Sequence, residues 1–456
     1  MAMKKRKRQP QSTLWIATAE IASSPGHPFY QKLNELLSQE GFDIFVEGLC
    51  QKFYAEKRGR PSIPPGVYFR MLLIGYFEGI DSERGVAWRC ADSLGLRAFL
   101  GYPLNEDTPD HSSLSKIRSR MDLETHREVF TWVLKLLAKE GLLQGKTIGV
   151  DATTLEANAA LRSIVRRDTG ESYEAFLVRL AQASGVETPT REDLAKIDKK
   201  RKHKGSNKDW FNPNDPDAKI TKMKDGRTHL AHKAEHAVDL DTGAVVAVTV
   251  QPANEGDTTT VYRTVCETAE NLEDVRADAE SGACMGSKVL EEVVADKGYH
   301  SNDTLRDFAE MEIRSYVSEP KRKGRRNWKD KGAERAAVYG NRRRIGGQRG
   351  KALLRRRGEL LERPFAHCYE TGGMRRTHLR DHPKILKRLL IHVAGCNLAL
   401  VMRKLLGVGT PRGLHDVLRE VLAGIAARIR RWELLCGRQE SPYVNSYERT
   451  PRLRAG

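Results

Sequence analysis

Apolar residues recur at three- and four-residue intervals across residues 29–56 (FYQKLNELLSQEGFDIFVEGLCQKFYAE), which predicts helix there. The run GRPSIPPG, residues 59–66, breaks that pattern with three prolines. Residues 67–78 (VYFRMLLIGYFE) are apolar on nearly every side and predict a core helix. Two short helical pieces follow at 82–90 and 94–100. The polar run 108–113 then predicts a cap for SLSKIRSRM, a helix carrying Lys116, Arg118 and Arg120. Short helices ending in a capped basic one fit a plain helical bundle, or a helix-turn-helix whose last helix meets DNA. Residues 123–140 give a further amphipathic helix, closed by Gly141.

The period then changes. Within KTIGVDATTLEAN, residues 146–158, a short apolar run at 147–150 reads as a buried strand closed by Asp151. A second run of the same design, 289–295, ends at Asp296 in VVADKGY. A carboxylate delivered at the end of a buried strand costs several kcal/mol unless something compensates it. A divalent cation would do so. For Asp151 alone the alternative is a cap on a following helix, with Thr153 and Thr154 helping. Between the two runs, 158–212 is polar and helix-prone without a strand pattern, and reads as an insertion. Residues 233–251 form a hairpin about Asp241, Thr242 and Gly243. Helices at 257–271 and 301–311 and a strand at 313–317 complete an alternation that predicts an α/β sheet covered by helices. Further helices are expected at 358–372, carrying Glu359, Glu362 and Phe365, at 391–406 as a buried closing helix, and at 414–436.

Composition adds a partner. The 456 residues hold 78 Lys or Arg against 60 Asp or Glu, a formal charge of +18. That excess points to a polyanion, nucleic acid before an acidic membrane surface. No apolar run is expected to approach the 18 residues of a spanning helix. The densest positive stretch is 321–357, with 16 basic residues against Asp330 and Glu334. Its runs Arg342, Arg343, Arg344 and Arg355, Arg356, Arg357 would neutralise several phosphates, although a solvated linker has the same composition. The opening MAMKKRKRQPQS lacks an apolar signal core and reads as a basic tail or arm. Seven scattered cysteines without a CxxC pair predict a reducing, cytoplasmic setting and no thiolate zinc site. His229, His232 and His236 have ligand spacing on a helix but precede a predicted strand, which favours packing roles. No Walker-type loop is present, so ATP use is not expected.

Two strand-borne aspartates and a glutamate on a later helix can converge on two Mg²⁺ or Mn²⁺ ions, hard cations suited to phosphate chemistry. The ordered set GVDATTLEAN, DPDAKITKMKDGRTHLAHKAEHAVDLDTGAVVAVTV, QPANEGDTTT, VVADKGYHS and ELLERPF resembles bacterial insertion-sequence transposases of the DDE type. The stretch GRPSIPPGVYFRMLLIGYFEGIDSERGVAWRC is similar to the helical domain that precedes their catalytic core. The resemblance runs from about residue 29 to 406.

That resemblance implies an RNase H-like mixed sheet flanked by helices, an all-helical N-terminal domain and a helical insertion. It divides the chain into a basic arm (1–28), a helical DNA-binding domain (29–142), a catalytic domain (143–406) and a C-terminal helix and tail (407–456). The insertion occupies about 158–212 of the catalytic domain, and the basic segment 320–357. The implied metal ligands are Asp151, Asp296 and Glu362, holding two Mg²⁺ or Mn²⁺ ions. Glu359 stays open as the third carboxylate, because Arg355 lies four residues before it. Asn254 and Asp257 match a motif that recurs near the site in the family, without being assigned as ligands. Tyr369 stands where the family often has a DNA-binding lysine. The expected partners are double-stranded DNA, as terminal inverted repeats and target, and a second copy of the chain, at least a dimer on DNA. Lys116, Arg118, Arg120, Arg342, Arg343, Arg344, Arg355 and Arg356 are the candidate DNA contacts. The activity implied is cleavage at element ends and strand transfer. A DNA-binding protein without catalysis and a nuclease that only hydrolyses are the alternatives.

Overall fold

The computed structural model describes residues 24, 26–55, 62–201, 205–223, 226–321 and 326–436. The basic arm and the tail beyond residue 436 fall almost wholly outside the described residues. Seven α-helices among them precede the first strand: α1 (Pro28–Gln39), α2 (Phe42–Cys50), α3 (Pro65–Glu78), α4 (Glu83–Asp92), α5 (Leu94–Leu100), α6 (His111–Arg120) and α7 (Leu123–Lys139). The single helical run expected at 29–56 is split because Gly41 turns left-handed, φ 68°, between α1 and α2. Side chains of Ser82, Asp110 and Asp122 accept the N–H groups of Gly85, Ser113 and Thr125 and so start α4, α6 and α7, Asp110 lying within the polar run expected to cap α6. α3 is enclosed on all sides, with Tyr68, Phe69, Met71 and Ile74 inaccessible.

The sheet is built on β1 (Thr147–Glu156) and β5 (Thr228–Asp239), antiparallel from Ile148 opposite Asp239 to Glu156 opposite Ala231. β4 (Lys219–Lys222) and β6 (Val245–Pro252) pair with the other edge of β5, both antiparallel. On the far side of β1 come β7 (Glu292–Ala295) and β8 (Arg314–Val317), both parallel to their neighbours. The order is therefore β6-β5-β1-β7-β8, an antiparallel meander followed by two parallel strands, with β4 extending the β5 edge. α10 (Asp257–Ala277) and α11 (Ala279–Ala283) cross from β6 to β7, and α12 (Asn302–Glu310) from β7 to β8. The strand β1 corrects the sequence expectation. It runs ten residues rather than four, so Asp151 lies mid-strand and caps no helix. β5 supplies a ladder partner for every residue through Glu156, and that pairing overrides the polar Thr-Thr stretch.

The insertion carries α8 (Tyr173–Ala183) and α9 (Arg191–Lys200), as its helical composition predicts. It also holds a two-residue ladder, β2 (Val165–Arg166) with β3 (Trp210–Phe211), which the sequence did not announce. Its small core of Trp210, Phe176, Leu177 and Ile164 is separate from the main one. The basic segment is no linker. Where described it forms α13 (Gly332–Gly346) and runs on into α14 (Gln348–Phe365), which ends in a π-helical turn, Ala366–Thr371.

α15 (His382–Leu406) joins the two halves, packing against α7, α3 and β6, before α16 (Pro411–Cys436). One hydrophobic cluster consequently runs from Phe29 in α1 to Met402 in α15 through the sheet. Asn397 clamps Val245, donating to its carbonyl at 2.8 Å and accepting its N–H at 2.9 Å. Lys387 reaches across to the carbonyls of Arg118 and Met121. Contrary to expectation, the segment His382–Leu414 is long and apolar enough to cross a membrane, but 89% of its apolar window is buried inside the protein.

Candidate active site

β1 and β7 are in parallel register with Gly149 beside Val294. Two residues further along β1 stands Asp151, and one residue past the end of β7 stands Asp296, so the register carries the two aspartates to neighbouring positions on backbones about 4.8 Å apart. Asp296 keeps extended backbone, φ −81° and ψ −175°, and its Oδ1 accepts the Gly298 N–H at 2.7 Å. That bond turns the chain sharply after β7. α14 lies on the face of β1 to which Asp151 points. Its Leu361 fills the space above Gly149, where a Cβ would stand 2.5 Å from Leu361 Cδ1. Arg357, one turn earlier, brings Nη2 to 2.7 Å from Asp151 Oδ2.

A buried polar network adjoins this pair. Asp257 opens α10, and its Oδ2 would be 2.6 Å from a Cβ on Gly298, with Asp296 Oδ1 at 3.0 Å from the same point. Only glycine admits both carboxylates. Lys233, nearly buried on β5, donates to Asp257 Oδ1 at 2.5 Å and Thr260 Oγ1 at 2.8 Å. Glu235, wholly buried, accepts from Tyr299 at 2.8 Å and Thr260 at 3.1 Å, and burial raises its pKa. The Tyr299 hydroxyl is held well above its usual range by burial and by the carboxylates of Glu235, Asp257 and Asp151. Lys233, Glu235, Tyr299 and Arg357 were not singled out as site residues from the sequence. For Lys233 and Glu235 the available signal was two opposite charges at i and i+2 in the predicted strand that opens the hairpin.

Glu362 sits differently. On α14, Leu353, Leu361 and Pro364 are buried, and Leu360, Arg363, Pro364 and His367 line a groove against α15. Glu362 lies about 200° around the helix from Leu360. It is exposed on the flank away from α15. Glu359 is exposed as well and pairs with Arg363 at 2.7 Å. Among the described residues no three His, Cys, Asp or Glu side chains stand close enough to hold a metal ion. The sheet thus joins Asp151 to Asp296, while α14 carries Glu362 outside that pair.

The histidines lie on β5, with His232 and His236 buried and His229 half-buried. His236 stands opposite Asp151 in the ladder. Tyr369 is buried too, its hydroxyl on His236 Nε2, and offers nothing to DNA.

The basic candidates divide. Lys116 and Arg120 are exposed on α6, but Arg118 is turned inward against Glu83, its side chain only 8% accessible. Arg343 and Arg355 are exposed, Arg342 pairs with Glu319, and Arg356 with Asp241. Arg344 is half-buried and donates to the Ser315 carbonyl at 2.8 Å.

A meander of three antiparallel strands continued by two parallel ones, with helices on both sides and an aspartate on the first strand beside one after the fourth, is the architecture of an RNase H-like domain. Two family models match the chain. A transposase domain (DUF772) matches residues 18–120, and a transposase DDE domain matches residues 184–398. The chain belongs to the DDE-type transposases of insertion sequences. The second match spans Asp257, Asp296 and Glu362 and begins beyond Asp151. Comparison with curated proteins and with solved structures finds no match.

Proposed function

We propose that this transposase cuts DNA at the ends of its element and joins the freed 3′ ends to target DNA, using Asp151, Asp296 and Glu362. The observation that carries the reading is the pair of Asp151, on β1, and Asp296, just past the end of the neighbouring β7, with oxygen donors only. Such a donor set fits Mg²⁺ or Mn²⁺, and Glu362, on the open flank of α14, is the third ligand in this reading. Divalent cations held there would draw charge from the reacting phosphate and sharpen the attacking oxygen. The chain's own groups do the rest. Asp296, fixed by the Gly298 N–H, and Asp151, on a fully paired strand, hold their carboxylates without rearrangement of backbone. Water attacks the phosphodiester at the element's boundary, and the released 3′-hydroxyl then attacks the target strand. Exposed Lys116, Arg120, Arg343 and Arg355 are the DNA contacts the reading retains. Pairing of two ends implies at least a dimer on DNA, in a cytoplasmic setting.

The test is Mg²⁺-dependent cleavage of duplex carrying the element's flanking ends, with Asp151→Ala, Asp296→Ala, Glu362→Ala and Glu359→Ala. Loss of cutting in the first three with binding retained supports the reading. Cutting that survives Glu362→Ala but not Glu359→Ala reassigns the third ligand. Binding without any cutting would make the chain a DNA-binding protein, and cutting without joining a nuclease.

A further inference from the structure

We propose that Arg357 is a further substrate-binding residue of this site. It rests on Asp151 in the free protein and passes to a DNA phosphate when a divalent cation takes the carboxylate, which makes cation binding depend on DNA. The inference rests on the metal role given to Asp151 above.

Arg357 stands on the sheet-facing side of α14, in line with Leu353, Leu361 and Pro364, where its neighbours are apolar and buried. A charge on that face needs a reason, because burying a guanidinium is costly unless it is paired. Its side chain is 13% accessible, and Nη2 lies 2.7 Å from Asp151 Oδ2. The contact is close but poorly aligned. Nε and Nη2 are both buried without a hydrogen-bond acceptor. A guanidinium offers five donors in a planar fork, and the paired oxygens of a phosphate suit that fork. The pair therefore neutralises Asp151 while leaving Arg357 short of partners, the condition of a group that exchanges readily.

Electrostatics sets the direction of exchange. A dication on Asp151 and the Arg357 guanidinium within hydrogen-bond reach of the same carboxylate repel one another. One must leave, and a strand phosphate entering beside the carboxylates gives the arginine its destination. Linkage then requires that DNA strengthen cation binding by the same factor as the cation strengthens DNA binding through this residue. A purely structural ion pair would neutralise Asp151 for folding and produce no such coupling.

The first measurement avoids metal altogether. In EDTA, Asp151→Asn frees Arg357, so terminal-repeat duplex should bind about threefold to tenfold more tightly than to wild type, with the salt slope steeper by about one. In the double variant Asp151→Asn/Arg357→Gln that gain should vanish. A gain of equal size in the double variant would mean that removing the carboxylate charge is enough, and overturns the proposal. The second measurement is Mn²⁺ titration by calorimetry on the full chain. Wild type should bind Mn²⁺ about tenfold more tightly with duplex present, whereas Arg357→Gln should bind it that tightly alone and gain nothing from DNA. Unchanged or weaker Mn²⁺ binding by free Arg357→Gln overturns the proposal. Should that variant misfold, Arg357→Met, uncharged and of similar length, takes its place, and free Arg357→Met that binds Mn²⁺ no more tightly than wild type overturns the proposal. Asp151→Asn that still binds Mn²⁺ as wild type does would instead sink the metal assignment of Asp151.

Discussion

The Tyr369 hydroxyl lies 2.5 Å from His236 Nε2, and His236 faces Asp151 across the β1–β5 ladder. The Phe365 and Tyr369 rings close over the imidazole at 4.9 and 5.4 Å. The π-helical end of α14 is thereby fastened to the strand beside the carboxylate. Burial keeps His236 neutral, lowering its pKa to about 3, and does the same for His392, to about 3, and His126, to about 4. In the unfolded chain each titrates near its ordinary value of about 6.5. Between those values the unfolded state holds protons that the native state refuses, so stability falls as pH drops below about 6.5. Each should cost about 2 kcal/mol by pH 5. Urea midpoints at pH 7 and pH 5 measure the loss, and His236→Gln should shrink it. Equal midpoints at both pH values would contradict the assignment.

Gly298→Ala places a methyl between Asp257 Oδ2 and Asp296 Oδ1. The Asp296 loop must move, and cleavage should fall at least about tenfold, some 1.4 kcal/mol in the barrier. The melting temperature should change little, because the loop is at the surface. Single-turnover cleavage beside a melting curve separates the two effects. Activity within twofold of wild type would show that the spacing of these carboxylates does not matter.

Lys233→Met leaves Asp257 and buried Glu235 without their shared cation. Removing one partner of a buried pair typically costs about 3 kcal/mol or more. Adding Asp257→Asn should return part of it, which a double-mutant cycle in urea would register. A single variant as stable as wild type would mean that Glu235 is neutral and needs no lysine.

Arg118 and its helix neighbours should respond in opposite ways. Arg118→Ala strips Glu83 of a buried partner and should destabilise the fold by about 3 kcal/mol. Lys116→Ala and Arg120→Ala should stay within about 0.5 kcal/mol of wild type in stability. If α6 meets DNA, each lowers the salt slope of binding by about one. Unchanged slopes in both would move the DNA surface elsewhere.

Much of the architecture is local in origin and so legible. The Asp241–Gly243 turn announces the β5–β6 hairpin, and the break after Ala295 announces Asp296. A capping run sets α6, and an amphipathic period closed by Gly141 sets α7, to within a few residues. What escaped is non-local. β1 looks four residues long until β5 is laid beside it, because Thr153 and Thr154 gain their strand character from Ala234 and Lys233. The inward turn of Arg118 depends on Glu83, 35 positions earlier, and no helical period foretells it. The pairing of Arg357 with Asp151 spans some 200 residues, and in sequence Arg357 is one more base in a basic run. The insertion's core was missed because Trp210, Phe176 and Ile164 are too far apart to form any period.

α15 carries a consequence for how such a protein can change over time. The helix follows the catalytic sheet in sequence, yet it is the wall on which α3 and α7 of the N-terminal half are built. Gly395 touches the Tyr76 ring so closely that a Cβ there would stand 2.7 Å from it. An element that exchanged its N-terminal half with that of a relative would therefore inherit a mismatched seam along the whole length of α15. Exposed positions such as Lys116 and Arg120 lie off that seam and can change one at a time without disturbing it, so a lineage of such chains should vary its surface residue by residue rather than by exchanging halves.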